Sequence, residues 1–156
     1  MKKFKNLASV VKFIKQERKR GKKIVTTNGC FDVLHVGHIH SLETAKALGD
    51  VLVVGINSDA SVRALKGKER PIVPAHERAE IIASLKAVDA VFVFDEKDPR
   101  GWLTKIKPNI HVKGSDRKMS EIIEREVVER FGGKIILLPI DKGKSTTNII
   151  KKIKGK

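Results

Sequence analysis

Five short runs rich in Val and Ile set the tightest limit on what this chain can fold into: Ile24 to Thr27, Val51 to Ile56, Val91 to Phe94, Ile110 to Val112 and Ile135 to Leu138. Several are apolar throughout instead of alternating, which is the pattern of strands buried on both faces of a parallel sheet. Between them lie segments with helical spacing: Ile39 to Leu48, Ser58 to Leu65, His76 to Leu85, Pro99 to Ile106 and Ser120 to Phe131. Strict alternation of strand and helix requires right-handed crossovers, so the spacing predicts an α/β sandwich built on a parallel five-stranded sheet flanked by helices.

Two further helices frame that core. Leu7 to Arg20 keeps Leu7, Val10, Val11 and Ile14 on one face and is expected to pack at the sheet edge. Thr147 to Ile153 follows the loop Asp141 to Ser145 and leads into a basic tail. With 156 residues, 40% of them hydrophobic, the chain has material for one core, and a single domain over residues 1–156 is expected: an N-terminal helical segment 1–23 and a core 24–153. The basic start has its apolar residues interrupted by Lys, Gln, Glu and Arg, so neither a signal peptide nor a membrane span is expected there. Cys30 is the only cysteine, so no internal disulfide forms and a cytoplasmic location is expected. The net charge of +15 calls for anionic partners, but six Phe, one Trp and no Tyr supply few stacking surfaces, which argues against nucleic acid.

In open parallel sheets ligands bind where strands end and helices begin, because helix N-termini present free N–H groups and a positive dipole end. The loop after the first strand, NGCFDVLHVGHIH from Asn28 to His40, places His35 and His38 around Gly37 where a helix opens. Imidazoles three residues apart can face one anion, and Gly37 lets that anion approach the backbone. The same spacing suits a metal, but no third ligand is evident nearby and His40 falls on another face, so no protein metal site is expected.

Gly29-Cys30-Phe31-Asp32 followed by His35-Val36-Gly37-His38 resembles the signature of the HxGH nucleotidyltransferase, or cytidylyltransferase-like, superfamily, and Ser145-Thr146-Thr147 resembles its triphosphate-binding segment. The stretches TNGCFDVLHVGH, LGDVLVVGINSDASVRALKG, RPIVPAHERAEII, VKGSD and STTNIIKKI are similar to the adenylyltransferase branch of bacterial ADP-heptose synthesis, and cover most of residues 24–153. In the usual two-domain heptose enzyme a sugar kinase precedes this part, and this chain resembles the transferase alone.

The resemblance implies a Rossmann-like fold and a reaction in which a sugar phosphate attacks the α-phosphorus of ATP and pyrophosphate leaves. The protein then mainly positions and neutralises. By that resemblance His35, His38 and Lys46 are catalytic. Gly29, Phe31, Asp32, Gly37, Arg78, Lys113, Gly114, Asp116, Ser145, Thr146 and Thr147 bind the nucleotide, and Lys66 meets the acceptor phosphate. Mg²⁺ accompanies the triphosphate, and a homo-oligomer, usually a dimer, is implied.

Plainer readings stand beside these. Asp32 serves equally well as a turn cap, Lys46 and Lys66 as solvated lysines, Ser145 as the N-cap of the last helix, Cys30 as small loop packing and Trp102 as core. Two departures bear on specificity. VKGSDR replaces the heptose branch's VKGGDY, so Ser115 and Arg117 alter the acceptor end, and IDKGK lacks the arginine that glycerol-phosphate cytidylyltransferases carry before this loop. The rival readings are a cytidylyltransferase for glycerol 3-phosphate or another polyol phosphate, and a nucleic-acid-binding module on an inactive transferase scaffold.

Overall fold

Each Val and Ile run becomes a strand because a continuous apolar stretch has to be covered on both sides, and helices supply the cover. A computed structural model describes Lys3 and residues 5–155; Met1, Lys2, Phe4 and Lys156, at the ends of the expected domain, lie outside the described residues. The strands are β1 (Ile24–Gly29), β2 (Val51–Asn57), β3 (Ala90–Phe94), β4 (Ile110–Gly114) and β5 (Lys134–Leu138). The helices are α1 (Leu7–Lys19), α2 (Val36–Ala47), α3 (Asp59–Lys66), α4 (Ala75–Ser84), α5 (Arg100–Ile106), α6 (Arg125–Arg130) and α7 (Thr146–Ile153).

All strand pairs are parallel, in the order β3-β2-β1-β4-β5. The α/β, Rossmann-like class expected from the sequence is therefore observed. The chain winds outward from β1 to β2 and β3, then returns to the other side of β1, so the order reverses between β1 and β4. That reversal opens a crevice beyond the strand C-termini.

One face of the sheet packs Val10 and Ile14 of α1 with Trp102, Leu103 and Ile106 of α5 against Ile24, Val53 and Phe92. The other packs Leu42 and Ala45 of α2 with Ala79 and Ile82 of α4 against Val25, Val54, Ile56 and Val91. Trp102 is fully buried, edge-on to Phe92 at 5.1 Å between ring centroids, so its expected packing role holds. No helix among the described residues is long and apolar enough to cross a membrane.

α1 packs over one face of the edge strand β3, so its expected place at the sheet edge holds, and Lys3 and Lys5 run along the open side of that strand. Lys5 N–H donates to Val91 O and Val91 N–H to Lys3 O, both at 2.9 Å, pairing backbone groups that β3 would otherwise leave open. The single helix expected over Ser120 to Phe131 breaks into a 3₁₀ turn at Met119–Glu121 and α6, with Ile122 extended between them. The break turns Ile122 and Glu124 inward, to 5% and 4% exposure, which an uninterrupted surface helix would not do.

Candidate active site

The crevice between β1 and β4 is a cavity of about 680 Å³, well within the range of small-ligand sites. Its floor is made by strand ends, Asn28 and Gly29 of β1, Asn57 of β2, and Lys113 and Gly114 of β4. Its walls come from the loops and helix ends that follow, which carry His35, Lys66, Asp116 and the Lys144–Thr147 segment.

His35 is the N-cap of α2. Its Nδ1 accepts from Gly37 N–H at 3.1 Å, while His38 Nδ1 faces His35 N–H at 3.4 Å. Both δ nitrogens are thus acceptors, and a neutral imidazole so held carries its proton on Nε2. Burial pushes His38 down to about 4, helped by the charge of His35, and burial also lowers His35, assisted by Lys144 and opposed by Asp141. At neutral pH both rings are uncharged donors, stacked with centroids 3.8 Å apart. Gly37 is needed beneath them: a Cβ there would lie 3.0 Å from the His35 ring and 3.2 Å from Lys144 Cβ.

The second wall is the start of α7. Ser145 caps it, its Oγ accepting from Asn148 N–H at 3.0 Å, so the Thr146 and Thr147 amides are among the first-turn N–H groups that a helix leaves free. Thr146 Oγ1 donates to Val33 O at 3.2 Å, and His40 Nδ1 lies 2.6 Å from Asp141 Oδ2, so two side-chain contacts tie this loop to the neighbourhood of α2. Two helix N-termini therefore point their positive ends into one cavity. Lys66, Lys97, Arg117 and Lys144 also line it, without an ion-pair partner among the described residues. The arrangement is built for a multiply charged anion.

The model of the cytidylyltransferase-like family matches residues 26–152. The chain belongs to that family. Bifunctional protein HldE of Geotalea uraniireducens is 51% identical over 152 residues, and its namesake in Geobacter sulfurreducens is 48% identical over 151. Each alignment covers 97% of this chain but 31% of the relative, so the chain spans about a third of those proteins' length. The solved lipopolysaccharide core biosynthesis protein of Thermoplasma volcanium is 35% identical with a TM-score of 0.66, over 80% of this chain and all of that one. The pantoate-beta-alanine ligase of Francisella tularensis, 20% identical with a TM-score of 0.61, shares the fold. Family membership makes the chain a nucleotidyltransferase.

Within this cytidylyltransferase-like fold, most residues expected at the site do line the cavity: Gly29, Phe31, Asp32, His35, Gly37, His38, Lys66, Lys113, Gly114, Asp116, Ser145, Thr146 and Thr147. Two expectations, for Lys46 and Arg78, are corrected. Lys46 lies near the far end of α2, ten residues or about 15 Å of helix from its start, and its ammonium is taken by Asp89 and by Asp50 O. Arg78 is wholly buried beneath the loop. It donates to Cys30 O, to Val73 O at 2.8 Å and to Asp59 Oδ1 at 2.8 Å, so it anchors the loop instead of touching nucleotide. The Asp32 side chain is also wholly buried, accepting from Ile72 N–H and Val73 N–H at 2.9 Å and from Arg70. Burial alone would raise its carboxyl, but those two amides and the guanidinium outweigh it and hold it below the usual range.

These clamps hold a bent loop. Phe31 sits at φ 47°, a left-handed conformation rare outside glycine; Arg78 holds Cys30 before it, and Asp32 after it is anchored to the Ile72 and Val73 amides. Burial pushes the Cys30 thiol up against the pull of Lys66, Arg78 and Arg70, in keeping with loop packing. Residues the sequence reading did not select are Asn28, Lys97, Glu124 and Lys144. Lys144 was legible beside the Ser-Thr-Thr motif, but Glu124 fell inside the segment expected to form one continuous helix.

Proposed function

We propose that this chain joins ATP, in preference to CTP, to a heptose 1-phosphate, forming ADP-heptose and releasing pyrophosphate. What carries this reading is the meeting of two helix N-termini with two uncharged, Nε2-donating imidazoles in one cavity. Uncharged donors stabilise phosphoryl oxygens most where charge develops, because they need not reorganise during the reaction.

An oxygen of the sugar phosphate attacks the α-phosphorus while the bond from that phosphorus to the bridging oxygen breaks; one P–O bond forms, one is lost, and pyrophosphate departs. His35 and His38 hold the oxygens of the α-phosphoryl group. Ser145, Thr147, the free amides of α7 and Lys144 hold the β- and γ-phosphates, and Lys66 meets the acceptor. Mg²⁺ enters on the triphosphate as part of the substrate and offsets its charge. Kinship with proteins named HldE and with a lipopolysaccharide core biosynthesis protein supports the heptose acceptor. We also expect a cytoplasmic dimer, which sedimentation would test.

The decisive experiment is a pyrophosphate-release screen of four nucleoside triphosphates against heptose 1-phosphate and glycerol 3-phosphate, with products identified by mass. ADP-heptose as the main product is expected. CDP-glycerol in its place would transfer the chain to the polyol-phosphate branch. Salt-sensitive oligonucleotide binding with no pyrophosphate release would favour the nucleic-acid reading.

A further inference from the structure

Beside the cavity floor lies a carboxylate that this chemistry leaves unused. Glu124 is 4% exposed and is the N-cap of α6, two residues after the extended Ile122 that ends the 3₁₀ turn. It forms an ion pair with Lys113 Nζ, which also donates to Asn28 Oδ1 at 2.9 Å. With side chains 15% and 5% exposed, Lys113 and Glu124 are unlike the solvated surface pairs that contribute little.

The sheet brings the three together. Thr27 and Val112 form the last paired rung of β1 and β4, so Asn28 and Lys113 stand one step beyond it and share a face. Two residues earlier on that face His111 Nδ1 lies 2.8 Å from Thr26 Oγ1. The buried Nε2 of His111 has no hydrogen-bond partner among the described residues and lies 3.9 Å from the Glu124 carboxylate, which it also faces.

An ammonium can only donate, so the Asn28 atom facing Lys113 is its carbonyl oxygen. That orients the amide and leaves Nδ2, which has no partner among the described residues, as the free donor of a side chain lining the cavity. The carboxylate polarises the ammonium, which polarises the amide in turn.

We propose that Glu124 is a positioning residue acting through Lys113 to hold Asn28 as a fixed hydrogen-bond donor on the cavity floor, and that Asn28 Nδ2–H donates to an oxygen of the bound phosphorylated ligand. The ligand half rests on the phosphoryl-transfer reading; the relay does not.

The test follows the side-chain amide signals of Asn28 in ¹⁵N spectra of the full chain, assigned with Asn28→Asp. Glu124→Gln, nearly isosteric, and Lys113→Met, which opens the relay from its other end, are each expected to move these signals. The double variant is expected to match Lys113→Met alone. Separate additions of Mg·ATP, Mg·CTP and heptose 1-phosphate identify which ligand moves the signals in the wild type. In turnover, Glu124→Gln is expected to lower kcat/KM about tenfold, with no further loss once Lys113 is Met, the non-additivity of a shared path. Asn28 signals that ignore Glu124→Gln, or that none of the three ligands moves, overturn the proposal, as do additive kinetic losses. If the signals respond to both Glu124→Gln and a triphosphate while pyrophosphate is never released, the relay stands and the reaction assignment falls.

Discussion

His38 does two separable things. In the proposed reaction its Nε2–H donates to the transition state, so His38→Ala is expected to cost on the order of a hundredfold in kcat with the fold intact, checked by turnover beside circular dichroism. As a half-buried imidazole held down to about 4, it also couples folding to pH. Its ordinary value is near 6.5, so between those values the unfolded chain binds the extra proton. Stability from this group is complete above about pH 6.5 and is lost as pH falls toward 4. Allowing for its partial exposure, the loss is about 1–2 kcal/mol. Urea melts at pH 7.5 and 4.5 measure it as the difference between the wild type and His38→Ala, which subtracts the carboxylates common to both.

At the scale of elements, a helix has two ends with opposite uses. The start of α2 belongs to the cavity, while the end carrying Lys46 belongs to the packing of Asp89 and Asp50. Lys46→Met is therefore expected to leave kcat/KM within about twofold of wild type, with only a small drop in melting temperature, since a partly exposed pair contributes about 1 kcal/mol or less. Arg78, beneath the loop between β1 and α2, is the opposite case. Arg78→Met leaves Cys30 O and Val73 O without their donor and Asp59 without its cation, and is expected to cost about 3 kcal/mol or more in denaturant unfolding. Because the same guanidinium holds the residue before Phe31, activity should fall further than stability accounts for.

Over the whole molecule, thirty-three basic against eighteen acidic residues make a field that draws anions toward the cavity. Its long-range part is screened within about 8 Å at physiological ionic strength. The KM for the triphosphate is therefore expected to rise with added salt while kcat stays nearly level. A titration from low to moderate NaCl checks this, and a kcat that falls in parallel would place the effect in the chemistry instead of the capture.

The alternation of apolar runs with helical segments was enough to establish the parallel five-stranded α/β class, since runs apolar on both faces have no other economical cover. The pairing of Gly37 with His35 and His38, and the Ser145-Thr146-Thr147 motif, marked two walls of the site, because those local turns are written in consecutive residues. What the chain could not show was which charged residues spend their charge on each other. Asp32 and Arg70, Arg78 and Asp59, Lys46 and Asp89, and Lys113 and Glu124 meet only after the crossovers have placed strand ends and loops together. A lone lysine or carboxylate in a sequence looks the same whether it will face a ligand or a partner. Burial decides between the two, since a charge removed from water has to be paired, and burial exists only in the folded molecule.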